Sequence, residues 1–197
     1  MNLNDSYSSY ISFDYFNGGL INSTSFTITG ANVASVDVSS NELKMLDVSG
    51  CPSLINFNCS NNPLEMLNLN DSYSGSIDIK GDYYDISLSL IVTGARLTSL
   101  DVSSRSLTFL NVLGCPALKK LWCNENKLTA LDVSKNSELI YLNLASNKLS
   151  ALDVSKNNVL KQLLCTKKPD LTTLTLKTGQ SMFELQKDDH TTISYVN

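Results

Sequence analysis

The side chains of this chain with the most chemical potential are five cysteines, one histidine and a loose group of aspartates. A zinc site needs cysteines and histidines at finger-like spacing, and a nucleophile needs an imidazole held beside it by a third group. Cys51 and Cys59 repeat as Cys115 and Cys123 with the spacing C-x7-C, which matches no zinc pattern. The one histidine, His190, stands in the polar stretch Lys187-Asp188-Asp189-His190 with no nucleophile motif around it. No glycine loop for phosphates and no His-Glu-x-x-His is present. Asp71, Asp78, Asp82 and Asp85 carry the oxygens that calcium prefers, but they lack EF-hand spacing and read as a solvated acidic loop. The expectation is five buried free thiols, no catalytic residues, no metal and no cofactor.

Why the cysteines recur becomes clear from the elements that hold them. LKKLWCNENKL (118–128) aligns with LIYLNLASNKL (139–149), so that Leu118 recurs as Leu139, Leu121 as Leu142 and Cys123 as Leu144. Between these rungs lies an offset set, LTALDVS and SALDVSKN, so each coil carries two short apolar-x-apolar rungs. Alternation over so few residues is the signature of a half-buried strand, and the Asp, Asn, Ser and Gly between rungs supply turns. The first rung runs from Ile11/Phe13 through Val36/Val38 and Phe57/Cys59 to Leu163/Cys165, with steps of 25, 21, 20, 23, 21, 21 and 21. The second runs from Phe26/Ile28 to Leu174/Leu176 and places Leu67/Leu69 beside Leu90/Val92. Two coils are enlarged, near 13–25 and 80–89. They also match each other, SFTITGANVASVDVSS (25–40) against SLIVTGARLTSLDVSS (89–104), as if a three-coil block had been duplicated.

A repeat of this size buries its apolar edge only against its neighbours, so the coils must stack into a solenoid with parallel first rungs in one continuous sheet. The second rungs are strand or extended coil, and little α-helix is expected. Asn62, Asn126 and Asn147, with Asn136 and Asn157, sit where the chain turns inward and can satisfy buried backbone groups. Cys59, Cys123 and Cys165 take the inward place of Leu, and Cys51 and Cys115 take the place of the turn Asn.

The segments LxxLxCxxNxL and LxxLDVSxN resemble the bacterial leucine-rich-repeat family, in its nested 21-residue subclass, over nearly the whole chain. That resemblance implies a leucine-rich-repeat solenoid with its parallel sheet on the concave face and extended or turn structure opposite. It also implies protein or surface recognition at the cell exterior. The departures are the two enlarged coils and a missing amino-terminal cap. Leu3-Asn4-Asp5-Ser6-Tyr7-Ser8 repeats Leu69-Asn70-Asp71-Ser72-Tyr73-Ser74, so residues 1–5 read as cut from within a preceding repeat, with no secretion signal ahead of them. Residues 1–176 form the expected solenoid. Residues 177–197 resemble a closing segment, with Lys187, Asp188, Asp189 and His190 blunting the exposed edge.

In a strand alternate side chains face outward, so the first rungs generate columns. One reads Ser12, Asp37, Asn58, Asp78, Asp101, Trp122, Asn143, Leu164; its neighbour reads Tyr10, Ser35, Asn56, Ser76, Ser99, Lys120, Tyr141, Gln162. The candidate ligand-binding patch on the concave face is Trp122, Tyr141, Ile140 and Leu164 with Lys119 and Lys120, where aromatic and apolar groups gather. A second candidate is the pair of bulges with Tyr15, Phe16, Tyr83 and Tyr84. The net charge of −4 and the acidic pI near 4.9 speak against nucleic-acid binding, and no apolar run is long enough for a membrane helix. Up to Leu118 four basic residues face eleven acidic ones, and from Lys119 eleven face eight, a change from −7 to +3 along one body. The functional expectation is a non-catalytic module for protein recognition or adhesion, within a larger bacterial surface or secreted protein. A glycan-binding module and a structural spacer are the alternatives, so the expected partner is a protein ligand or a surface glycan.

Overall fold

The computed structural model describes residues 10–12, 25–79, 89–167 and 170–197. The start of the chain, both enlarged loops and their Tyr15, Phe16, Tyr83 and Tyr84 lie outside these residues.

The described residues contain short strands and turns, with no helix. In the first half the strands are β1 (Tyr10–Ser12), β2 (Ser25–Thr29), β3 (Ser35–Asp37), β4 (Met45–Gly50), β5 (Asn56–Asn58), β6 (Met66–Asn68), β7 (Ser76–Asp78) and β8 (Ser89–Thr93). The second half adds β9 (Ser99–Asp101), β10 (Phe109–Gly114), β11 (Lys120–Trp122), β12 (Tyr141–Asn143), β13 (Ala151–Asp153), β14 (Gln162–Cys165), β15 (Thr173–Lys177), β16 (Glu184–Lys187) and β17 (Thr192–Val196). Every pairing is parallel and joins equivalent rungs of successive coils, as in Lys120 opposite Tyr141 and Tyr141 opposite Gln162. The chain is a parallel solenoid of stacked coils. The inward positions Leu100, Leu121, Leu142 and Leu163 are fully buried, as are their second-rung counterparts Leu46 and Leu67. Each such leucine stabilises the stack by roughly 2 kcal/mol. Residues 184–196 add one more rung to each side, through β14–β16 and β15–β17.

Three departures from the uniform stack matter. The first rungs do not make one continuous sheet: β1-β3-β5 and β7-β9-β11-β12-β14-β16 are separate, with no ladder between β5 and β7. On the second side β10 and β13 belong to different sheets, because Leu131 and Val133 are buried but sit in extended coil. The expected neighbours Leu67 and Leu90 are also not opposite each other. Leu67 faces Val92 and Leu90 faces Leu110. A slip of two positions keeps every side chain on its own face, and both Leu90 and Val92 remain fully buried.

The duplicated block is reproduced in detail. The β2–β4 ladder shifts register between Thr27 and Thr29, and the β8–β10 ladder shifts at the corresponding Asn111–Gly114. The bulged strands end in Gly50 and Gly114, where a Cβ would come within 2.6 and 2.9 Å of the Thr29 and Thr93 methyls. The next residues, Cys51 and Cys115, each donate Sγ–H to a carbonyl of the coil before, Ile28 O and Val92 O, at 3.4 Å in both cases.

Inside the turns an asparagine ladder replaces apolar packing. Asn126 Nδ2 donates to Val102 O at 2.9 Å and Cys123 O at 3.0 Å, while its Oδ1 accepts from Arg105 N and Leu107 N. Asn62 and Asn147 bond in the same way, each joining its own coil to the one before. The residue ahead of each ladder position lies in the left-handed region: Ser40, Asn61, Ser104, Glu125 and Ser146 all have φ between 55° and 59°. A non-glycine residue there costs about 1–2 kcal/mol. The strain is offset because the turn carries the amide inward, where it satisfies backbone groups shut off from water. On the second side Asn136 and Asn157 reach back to Val112 O and Val133 O, and Gln180 continues the series to Asn157 O. Arg105 occupies a ladder position normally held by Asn. Its buried guanidinium donates to Asn62 O and Leu64 O at 3.3 and 3.4 Å.

Candidate functional site

The outward column of the first rungs is mostly committed to local structure. Asp37 Oδ1 accepts from the N–H and hydroxyl of Ser39 at 3.0 and 2.7 Å, and Asp101 does the same with Ser103. Asn58 and Asn143 accept from the N–H two positions on, at 3.2 Å each. These are Asx turns that end the strand. The second rungs repeat the device with Asp47, Asp132 and Asp153. Burial pushes the Asp37 and Asp47 carboxyls up, but hydrogen bonds from Ser39 and Asn58, and from Ser49 and Asn68, outweigh it and hold both below the usual carboxylate value. The aspartates of the repeat therefore serve the turns.

Trp122 stands in that column and cannot make the turn bond. The ladders put Lys120 opposite Tyr141 and Trp122 opposite Asn143, so the two aromatic rings are diagonal neighbours on one face. Their centroids lie 5.1 Å apart at an interplanar angle of 41°. Both side chains are half-buried, as is Leu164, while Lys119, Lys120 and Lys161 are exposed around them and Ile140 is 36% exposed. Of the candidate patch residues, Lys120, Trp122, Tyr141 and Leu164 lie on the adjacent strands β11, β12 and β14, with Lys119 and Ile140 immediately ahead of β11 and β12. Asn143 separates Leu164 from Trp122 within the column.

A second feature is not visible in the sequence pattern. Where β5 and β7 part, the surface opens into a cleft of about 440 Å³ between Asp37, Asn56, Asn58 and Ser76, with Phe57 and Tyr73 at its floor. Phe57 occupies an inward rung position, yet it is only half-buried where its counterparts in later coils are sealed. Tyr73 turns inward from Asp-Ser-Tyr-Ser-Gly, is buried, donates its hydroxyl to Ser76 O at 3.2 Å and meets Phe57 edge to face at 6.2 Å. The signal that could have found it is the step from Phe57 to Ile77, the shortest of the first-rung series.

All five cysteines are buried thiols, and burial pushes the thiols of Cys59 and Cys115 up to about 12. Among the described residues no three metal-ligating side chains gather, and no helix is long and apolar enough to cross a membrane.

No family model matches the chain, and no curated protein matches it. Among solved structures it is similar to the functional domain of InlJ from Listeria monocytogenes, described as including a cysteine ladder. The TM-score is 0.55 and the identity 22%, over 96% of this chain and 46% of that one. It is also similar to an internalin, inlF, from the same organism, with TM-score 0.42 and 15% identity over 86% of this chain and 66% of that one. The chain spans about half the length of the InlJ domain. The rungs, their regular step and the match to InlJ together give the chain the fold of a bacterial leucine-rich-repeat protein.

Proposed function

We propose that this chain is a non-catalytic protein-recognition module that works at the exterior of a bacterial cell as part of a larger protein. It engages its partner through the first-rung face around Trp122 and Tyr141. The observation that carries this reading is that Trp122 occupies a column in which Asp37, Asn58, Asp101 and Asn143 make a turn hydrogen bond that Trp cannot make. That bond is worth about 1 kcal/mol, so its loss at Trp122 is not explained by stability. A tilted aromatic pair bordered by three lysines suits a partner with an apolar anchor and an acidic rim. The location rests on the resemblance of the repeats to the bacterial leucine-rich-repeat family.

The test is a binding screen of the purified chain against an array of extracellular protein domains, repeated with the double variant Trp122→Ala/Tyr141→Ala. Binding should fall at least about 30-fold, corresponding to a loss of roughly 2 kcal/mol. The melting temperature should stay within a few degrees, because outward surface positions rarely contribute more than about half a kcal/mol. Retained affinity in the double variant, or a variant that melts far lower, defeats the assignment.

A further inference from the structure

We infer that the cleft between β5 and β7 is a second binding site, and that its ligand is a neutral saccharide of one or two sugar units. The site owes nothing to the Trp122 patch, which lies on later coils, and stands whether or not that patch binds protein.

The first-rung ladder breaks between β5 and β7. The coil from Phe57 to Ile77 is one position short of the repeat, and Tyr73 fills the space inside it, so β7 joins β9 but not β5. The opening of about 440 Å³ neighbours a hollow of about 520 Å³ that shares Ile55, Tyr73 and Gly75 with it. Each lies within the range of about 300–1,000 Å³ typical of small-ligand sites. Among the described residues Asp37 is the one charged side chain in either lining; the others are amides, hydroxyls, aromatic rings and aliphatic groups. With no cation among the described lining residues, those residues offer phosphate, sulfate and carboxylate ligands no neutralising charge. The Asp37 carboxylate is held ionised by Ser39 and by Asn58, whose amide donates to Oδ2 at 3.1 Å, so it is a fixed acceptor for hydroxyl groups. Asn56 is exposed and presents both donor and acceptor. Ile55, 72% exposed, and the half-buried Phe57 offer an apolar surface beside these polar groups. A sugar ring has this dual character, with an apolar C–H face and a rim of hydroxyls that both donate and accept.

The experiment is a titration of the whole chain, followed by amide ¹H–¹⁵N correlation spectra. The probes are glucose, galactose and N-acetylglucosamine, with cellobiose and chitobiose as dimers. At least one probe should shift the amides of 35–37, 55–58 and 73–76 and saturate in the range of about 1 mM, normal for a small open site. Asn56→Ala should weaken that probe at least tenfold. So should Phe57→Leu, which restores the residue this repeat uses elsewhere. Ile55→Ala, at an exposed position, keeps the test alive if Phe57→Leu disturbs the fold. No response to any probe overturns the proposal. So does a response that Phe57→Leu leaves unchanged, or shifts confined to 119–122 and 140–143. N-acetyl-lysine amide is the control: if it moves the cleft amides and the sugars do not, Asp37 serves a cation and the saccharide assignment is wrong.

Discussion

Raising the pH from 8 to 10 should destabilise this protein through two thiols that never meet solvent. Cys59 and Cys115 are 2% and 0% exposed, and burial lifts both thiols from an ordinary 9.0 to about 12. In the unfolded chain each loses its proton near pH 9, whereas in the folded chain each keeps it, so unfolding releases protons and stability falls as pH rises. The sign follows from a raised acidic pKa: the contribution is intact below pH 9 and is lost between pH 9 and 12. At pH 10 the expected loss is RT ln 11, about 1.4 kcal/mol per thiol, or roughly 3 kcal/mol for the pair. Against a typical total of about 5–15 kcal/mol this is large enough to move a urea midpoint visibly. Other groups titrate in the same window, so the measurement is a difference between the parent and Cys59→Val/Cys115→Ala. Valine already fills the equivalent inward place at Val38 and Val102, both fully buried, so the variant should fold. Urea melts followed by far-UV dichroism at pH 8, 9 and 10 should show the parent losing about 3 kcal/mol more than the variant. Thiol titration should find five reactive groups in denaturant and almost none in native buffer at pH 8. Equal pH slopes, or fast native labelling, would show that the core admits water and that the coils are not sealed as described.

Two further substitutions test the interior. Asn126→Ala strips partners from Val102 O, Cys123 O, Arg105 N and Leu107 N, and should cost about 3–5 kcal/mol in a denaturant melt; a loss under about 1 kcal/mol would mean that water replaces the amide. Arg105→Ala should cost a similar amount, while Arg105→Met, which fills the volume without a buried charge, should be far better tolerated. Equal stabilities of the two Arg105 variants would remove the guanidinium from its place as a clamp between coils.

Much of the fold was legible because stacking multiplies one constraint. Once Leu121 and Leu142 are equivalent, Lys120 must face Tyr141 and Trp122 must face Asn143, and the ladders have that register. The asparagine ladder was legible for the same reason: Asn62, Asn126 and Asn147 recur where a buried turn leaves backbone groups to satisfy. The break at β5 was not, since Phe57 has the right residue type for a rung and Tyr73 lies in a polar turn where an exposed ring is the ordinary expectation. Only its burial and its bond to Ser76 O reveal that it fills the core of a shortened coil. Arg105 is hidden in a similar way. In the sequence it is one more basic residue, and only its burial and its bonds to Asn62 O and Leu64 O reveal its inward course. The offset of Leu67 from Leu90 is invisible to pattern because a two-position slip leaves the alternation of inward and outward residues unchanged.

The two candidate sites arise from opposite operations on the same repeat, and this governs what each can bind. At Trp122 the regular step is kept and only an outward side chain is exchanged, so β11 remains laddered to β9 and β12. An exchange of that kind can add area but cannot add depth. It yields a surface of rings and lysines, and such a surface gains affinity by covering a broad partner, which is a macromolecule. At Tyr73 the step itself is shortened, the ladder between β5 and β7 is lost, and side chains that the repeat would bury or cover line a cleft instead. An open cleft of that size suits a small ligand. Inserting a single residue after Tyr73, to restore the regular step, should therefore remove the cleft and leave the Trp122 patch as it stands.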